Sequence, residues 1–84
     1  MPWDVVDLKI IAPLTLLVRF ADGISGEVHF EISHLTGVFS ALKDSNFFKQ
    51  AFIDRGAVAW PDNIDLAPDA MYNEIKANGV WILR

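Results

Sequence analysis

Residues 14–30 read LTLLVRFADGISGEVHF, two runs of alternating apolar residues on either side of Ala21-Asp22-Gly23. In the first run Leu14, Leu16, Val18 and Phe20 share one face, and Thr15, Leu17 and Arg19 the other. In the second, Ile24, Val28 and Phe30 alternate with Ser25, Glu27 and His29. Alternation of this period marks half-buried strands. The loop decides how the two strands pair. A two-residue Asp22-Gly23 loop would set Phe20 against Ser25, Val18 against Glu27 and Leu16 against His29, apolar face to polar face. A three-residue loop sets Phe20 against Ile24, Val18 against Gly26, Leu16 against Val28 and Leu14 against Phe30. Because a one-residue slip turns a whole face over, the second register is the one expected. It needs a type I turn followed by a residue at positive φ, and Gly23 tolerates that conformation.

Upstream, residues 4–11 (DVVDLKII) form a further strand, with Val6, Leu8 and Ile10 facing inward and Asp7 and Lys9 outward. Ala12-Pro13 ends it, since proline has no N–H to give a ladder. Downstream, Leu35, Val38, Phe39 and Leu42 approach helical spacing, with Gly37 interrupting. Short helices are expected at Ser40–Lys43 and Asn46–Gln50, covering one face of the sheet. Residues 51–54 (AFID) and 57–60 (AVAW) flank Arg55-Gly56 as a second hairpin, ended by Pro61. Pro68, Met71, Tyr72 and Ile75 recur at i, i+3, i+4 and i+7, which predicts a helix over Leu66–Ala77. Asp65 or Ala67 is its N-cap, Pro68 suits its first turn, and Asn78-Gly79 stops it. The last five residues, VWILR, are too apolar for a free tail and should add an edge strand or cover the core. Strands, short helices, strands and then a helix define an α+β class. The expected architecture is a small, mostly antiparallel sheet, an N-terminal three-strand meander plus a second hairpin, covered by short helices and a C-terminal helix.

Eighty-four residues, 52% of them apolar, suffice for one small domain spanning residues 1–84. Cysteine is absent, so disulfides and thiolate metal sites are excluded and a cytoplasmic, reducing location is expected. No charged-then-apolar leader is expected from the opening residues, and no apolar run approaches the ~18 residues of a membrane span. Eleven acidic against seven basic side chains give a net charge of −4. The basic residues are scattered singly, unlike a nucleic-acid surface, which clusters them. The charge points instead to a small basic protein as partner, with no direct nucleic acid and no membrane.

Three patterns recur together: F-x-D-G at Phe20, Asp22 and Gly23; L-K-D with a following aromatic at Leu42, Lys43, Asp44 and Phe47; and W-P-x-x-x-D-L-x-P-D-x-x-Y at Trp60, Pro61, Asp65, Leu66, Pro68, Asp69 and Tyr72. In these the chain resembles a widespread family of small bacterial proteins of unknown function. It departs at Asn63-Ile64, where relatives often have Asn-Gly, and in the tail Val80–Arg84. The resemblance implies an α+β domain without assigned catalytic residues. It also implies an arrangement similar to toxin–antitoxin pairs, in which such proteins are encoded beside a second small protein. Some relatives carry a helix-turn-helix domain, which implies a sensory or adaptor role in a transcriptional regulator.

Asp62, Asp65 and Asp69 gather on one loop and helix start. They could hold a hard cation, but a cap, a first-turn charge and a loop charge explain them as well, and no EF-hand spacing is present. His29 and His34 lack the companions of a triad or of a zinc motif. No catalytic, cofactor-binding or metal residue is therefore assigned, no cofactor is expected, and the chain reads as a non-enzyme. Among the tryptophans, Trp60 suits the core, while Trp3 and Trp81 near the termini suit an interface. The partner-binding residues expected are Trp3, Asp62, Asp65, Asp69 and Trp81. The leading function is a protein-binding or regulatory module, the antitoxin-like partner of a small basic protein, with a homodimer through an edge strand as another arrangement. The alternatives are a ligand-binding or enzymatic domain using the Asp62–Asp69 segment, and the adaptor role.

Overall fold

The three-residue loop forms as its register requires. In the computed structural model, which describes residues 1–84, β2 spans Thr15–Phe20 and β3 spans Ser25–Phe30. Gly23 N–H donates to Phe20 C=O at 2.9 Å, Phe20 N–H donates to Ile24 C=O at 2.8 Å, and Gly23 sits at φ +93°. Leu16 lies opposite Val28 and Val18 opposite Gly26. Leu16, Val18, Phe20, Val28 and Phe30 are all buried.

The first strand, β1 (Val5–Ala12), pairs antiparallel with β2. Its inward set differs from the expected one. The register shifts once between Val5 and Asp7 and again between Ile10 and Ala12. An extra residue in one strand inverts the alternation on either side of it. Val5 is consequently 2% exposed and Val6 46% exposed, while Leu8 and Ile10 stay half-buried. Leu14 belongs to the Pro13-Leu14 loop and not to β2, with φ +53°, yet its C=O still accepts from Phe30 N–H at 2.9 Å.

Residues 31–50 form two 3-10 segments, Ile32–His34 and Gly37–Lys43, and a single α-turn, α1 (Ser45–Phe48). Asp44 caps α1 by accepting from Asn46 N–H at 2.9 Å. A second sheet follows: β4 (Phe52–Asp54), β5 (Ala57–Trp60) and β6 (Ile64–Asp65), all antiparallel. The short β6 was not expected. It takes Asp65 out of the cap position, and Ala67 is the N-cap of α2 (Pro68–Asn78), with no side-chain bond. Leu66 lies outside the helix but is buried, its N–H donating to Val58 C=O at 3.0 Å.

The helix buries Met71, Tyr72 and Ile75 and packs against β3 and the final strand, β7 (Val80–Leu83). Gly26 makes that approach possible: a Cβ there would lie 2.5 Å from both Gly79 O and Ile75 Cγ2. The apolar tail both adds a strand and covers the core. β7 pairs parallel with β3, giving the order β1-β2-β3-β7, and Leu83 is buried. A parallel neighbour needs a crossover, and α2 supplies the helix in it. One cluster of buried side chains joins Leu16, Val28 and Phe30 of the first sheet to Val58, Trp60 and Ile64 of the second. Trp60 is 1% exposed, donates from Nε1 to Phe48 C=O at 2.9 Å, and meets Phe30 edge to face.

Candidate functional site

The structure disperses the five residues expected to bind a partner. Trp3 and Trp81 are half-buried and pack on the core, with part of each side chain still accessible. Asp62, Asp65 and Asp69 are exposed. Asp62 stands at φ +69° in the turn before β6, and Asp65 in β6 itself. Both line a hollow of about 210 Å³ on the second sheet together with Asp54. Asp69 lies in the first turn of α2 outside that hollow, its Oδ1 accepting from Ala70 N–H at 3.0 Å. No three carboxylate or imidazole groups come close enough together to hold a metal ion.

The histidines are occupied elsewhere. His29 Nε2 lies 2.8 Å from Glu27 Oε1 on the uncovered face of the first sheet. His34 Nδ1 lies 3.2 Å from Arg84 O, and its ring stacks obliquely on Phe39 at 5.2 Å. Neither joins the Asp54–Asp65 hollow.

Tertiary structure does bring together the ends of two of the quoted patterns. Tyr72 Oη donates to Asp22 Oδ2 at 2.6 Å, while Asp22 Oδ1 accepts from Ile24 N–H at 3.0 Å. The Tyr72 ring meets Phe20 edge to face at 5.2 Å, and Lys76 Nζ stands 5.7 Å from its centroid. The Tyr72 hydroxyl, then the Ile24 amide, hold the Asp22 carboxyl below its ordinary value of 3.8. The Asp22 carboxylate in turn raises the Tyr72 hydroxyl above its ordinary 10.0. Both groups keep their neutral-pH forms more firmly than free side chains would. The pair therefore fixes the hairpin loop to the helix and is a poor source or acceptor of protons.

The one roomy concavity lies elsewhere. A groove of about 530 Å³ runs between the end of the first hairpin (Ile10–Leu14) and the segment from Leu42 to Lys49. The start of β1 is held to the second hairpin, Val5 N–H donating to Gly56 C=O at 2.8 Å. The groove lies toward the strand's other end, with Leu42 and Phe48 of the core among its walls. Its apolar lining includes Ile11, which the second irregularity of β1 leaves 47% exposed. Its polar lining is Lys43, Ser45 and Lys49, with no carboxylate, and neither lysine forms an ion pair. Sequence reading missed this site because its two walls lie about thirty positions apart and each looks ordinary alone. The only local signal was the bulky Leu14 after Pro13, in a turn.

Residues 5–77 match the family described as protein of unknown function (DUF2442). The chain belongs to the DUF2442 family. The match runs from the first residue of β1 into the last turn of α2, so both walls of the groove and the Asp22–Tyr72 contact fall within the DUF2442 span. β7, which closes one side of the core, falls outside it. No curated protein and no solved structure matches the chain. No helix is long and apolar enough to cross a membrane.

Proposed function

We propose that this DUF2442 chain is a non-catalytic protein-binding module that docks its partner in the groove between Ile10–Leu14 and Leu42–Lys49. The groove is the observation that carries this reading. It is mostly apolar, open to solvent along the exposed Ile11, and walled by elements anchored in the core. A small ligand is held by a pocket that encloses most of its surface, whereas an open groove needs an occupant that brings its own cover. A protein surface does so, and burying the exposed Ile11 is the ordinary driving force of such contacts. The absence of cysteine suits action in a reducing compartment such as the cytoplasm.

A second reading keeps the small basic partner suggested by the net charge of −4, and with it the antitoxin-like role that the sequence resemblance implied. Asp54, Asp62 and Asp65 around the second-sheet hollow favour that reading, since none of them forms an ion pair.

Affinity purification of the tagged chain from its native cell, at moderate salt, separates the two. Expected is a stoichiometric partner that the Ile11→Asp variant loses and the Asp62→Ala/Asp65→Ala variant keeps. The reverse pattern would move the interface to the second sheet. Recovery of the chain alone would refute stable partner binding. Ile11 is suited to this test because its side chain is half exposed, so a charge there leaves the core intact.

A further inference from the structure

The rim of the groove has the opposite sign to the molecule. The chain carries eleven acidic and seven basic side chains, yet the groove lining holds two lysines and no acid. Lys43 and Lys49 are exposed and make no ion pair, so their charges are open to an incoming group. Asp44, their nearest acidic neighbour in sequence, is turned to the α1 cap and takes no part in the lining.

Resting on the protein-binding reading above, we infer that the occupant of the groove is an acidic segment of another protein. It carries an apolar anchor side chain flanked by carboxylates. The anchor sits against Ile10, Ile11, Pro13 and Leu14, over the buried Leu42 and Phe48, and the flanking carboxylates meet Lys43 and Lys49. Complementary rim charges select a partner and speed its approach, while the buried anchor supplies the larger share of affinity. A symmetric pairing of two copies groove to groove fits poorly, because it would bring lysines to lysines. The partner's net charge is left free by this assignment; what is specified is the local sign of the docking segment, against what the whole-chain charge suggests.

The test is selection from a displayed random decapeptide library, run in parallel on the wild-type chain and on a Lys43→Glu/Lys49→Glu variant. Both positions are exposed and unpaired, so the variant should fold, and its circular dichroism checks this. Wild type should enrich peptides with a large apolar residue flanked by Asp or Glu, and the variant should enrich Lys and Arg flanks instead. Amide shifts on adding the winning peptide should fall on Ile10–Leu14 and Leu42–Lys49. The winner should bind the charge-reversed variant about tenfold more weakly, with a difference that shrinks as salt rises. Neutral or basic flanks on wild type, no enrichment, or shifts centred elsewhere would each overturn the inference. If the natural partner is lost on Ile11→Asp but kept on Lys43→Glu/Lys49→Glu, the groove remains the interface and only the acidic segment falls. If Ile11→Asp has no effect, the groove itself is wrong.

Discussion

Tyr72 and Asp22 stand fifty positions apart and meet at 2.6 Å. The contact decides how firmly the β2–β3 loop is held to α2, and its pH dependence can be worked out from the two shifts. Asp22 has a lowered pKa in the folded chain, so its contribution is complete above 3.8 and is lost as pH falls below that toward the lowered folded value. Tyr72 has a raised pKa, so its contribution is complete below 10.0 and is lost as pH rises through the raised folded value. A Tyr72→Phe chain keeps the ring contact with Phe20 and loses only the hydroxyl. Its melting midpoint should fall by a few degrees across neutral pH. The gap to wild type should close in strong acid and in strong base. A gap independent of pH down to the acid limb would show that the hydroxyl, and not the Asp22 charge, was what mattered.

Among the elements, α2 begins with an omission. Its N-cap, Ala67, has extended backbone angles, φ −65° and ψ 114°, but no side chain able to accept from the first free N–H groups. Pro68 has no N–H and Ala70 N–H already donates to Asp69 Oδ1, so the Asp69 amide is the one left to water or to no partner. Ala67 is exposed, so a substitution meets no crowding. Ala67→Asp should stabilise the chain by about 0.5–2 kcal/mol, seen as a higher urea midpoint with an unchanged slope. A lower midpoint would mean that α2 does not start at Pro68 in solution. The strand after the helix shows a different economy. β7 is only four residues long, yet it supplies the parallel edge beside β3 and puts Leu83 into the core.

The whole molecule has two sheets and one cluster of buried side chains. Its radius of gyration, 11.7 Å, matches the ~12 Å expected of a compact chain of this length, so no element extends away from the cluster. Trp60 carries the second sheet into that cluster, meeting Phe30 at 5.9 Å and Phe48 at 5.7 Å between ring centres. With no separate core of its own, the second sheet has nothing to stay folded around when the first is lost. Urea unfolding followed by the fluorescence of Trp60, in a Trp3→Phe/Trp81→Phe background, should coincide with unfolding followed by far-ultraviolet circular dichroism. Distinct midpoints would show that the β4–β6 sheet melts by itself.

The sequence alone determined the α+β class, the β2–β3 register with its three-residue loop, the second hairpin, the span of α2 to within two residues and the burial of Trp60. Each is encoded by neighbours: alternation over six residues, a glycine where φ must be positive, a proline in a first turn. It misplaced Val6, because a bulge is one extra residue and leaves the composition of a strand unchanged. It missed β6, two residues held by pairing with Ala59 and Trp60 and not by their own propensity. Only the tertiary structure decided that VWILR lies parallel to β3, that Asp22 reaches Tyr72, and that Trp3 and Trp81 are half covered. The groove belongs to the same group. Its walls come from two segments brought together by the core between them, and its sign is a local property that a sum of charges over the chain averages away. Local pattern is written in the order of residues, whereas a site is written in which distant surfaces the packing leaves side by side.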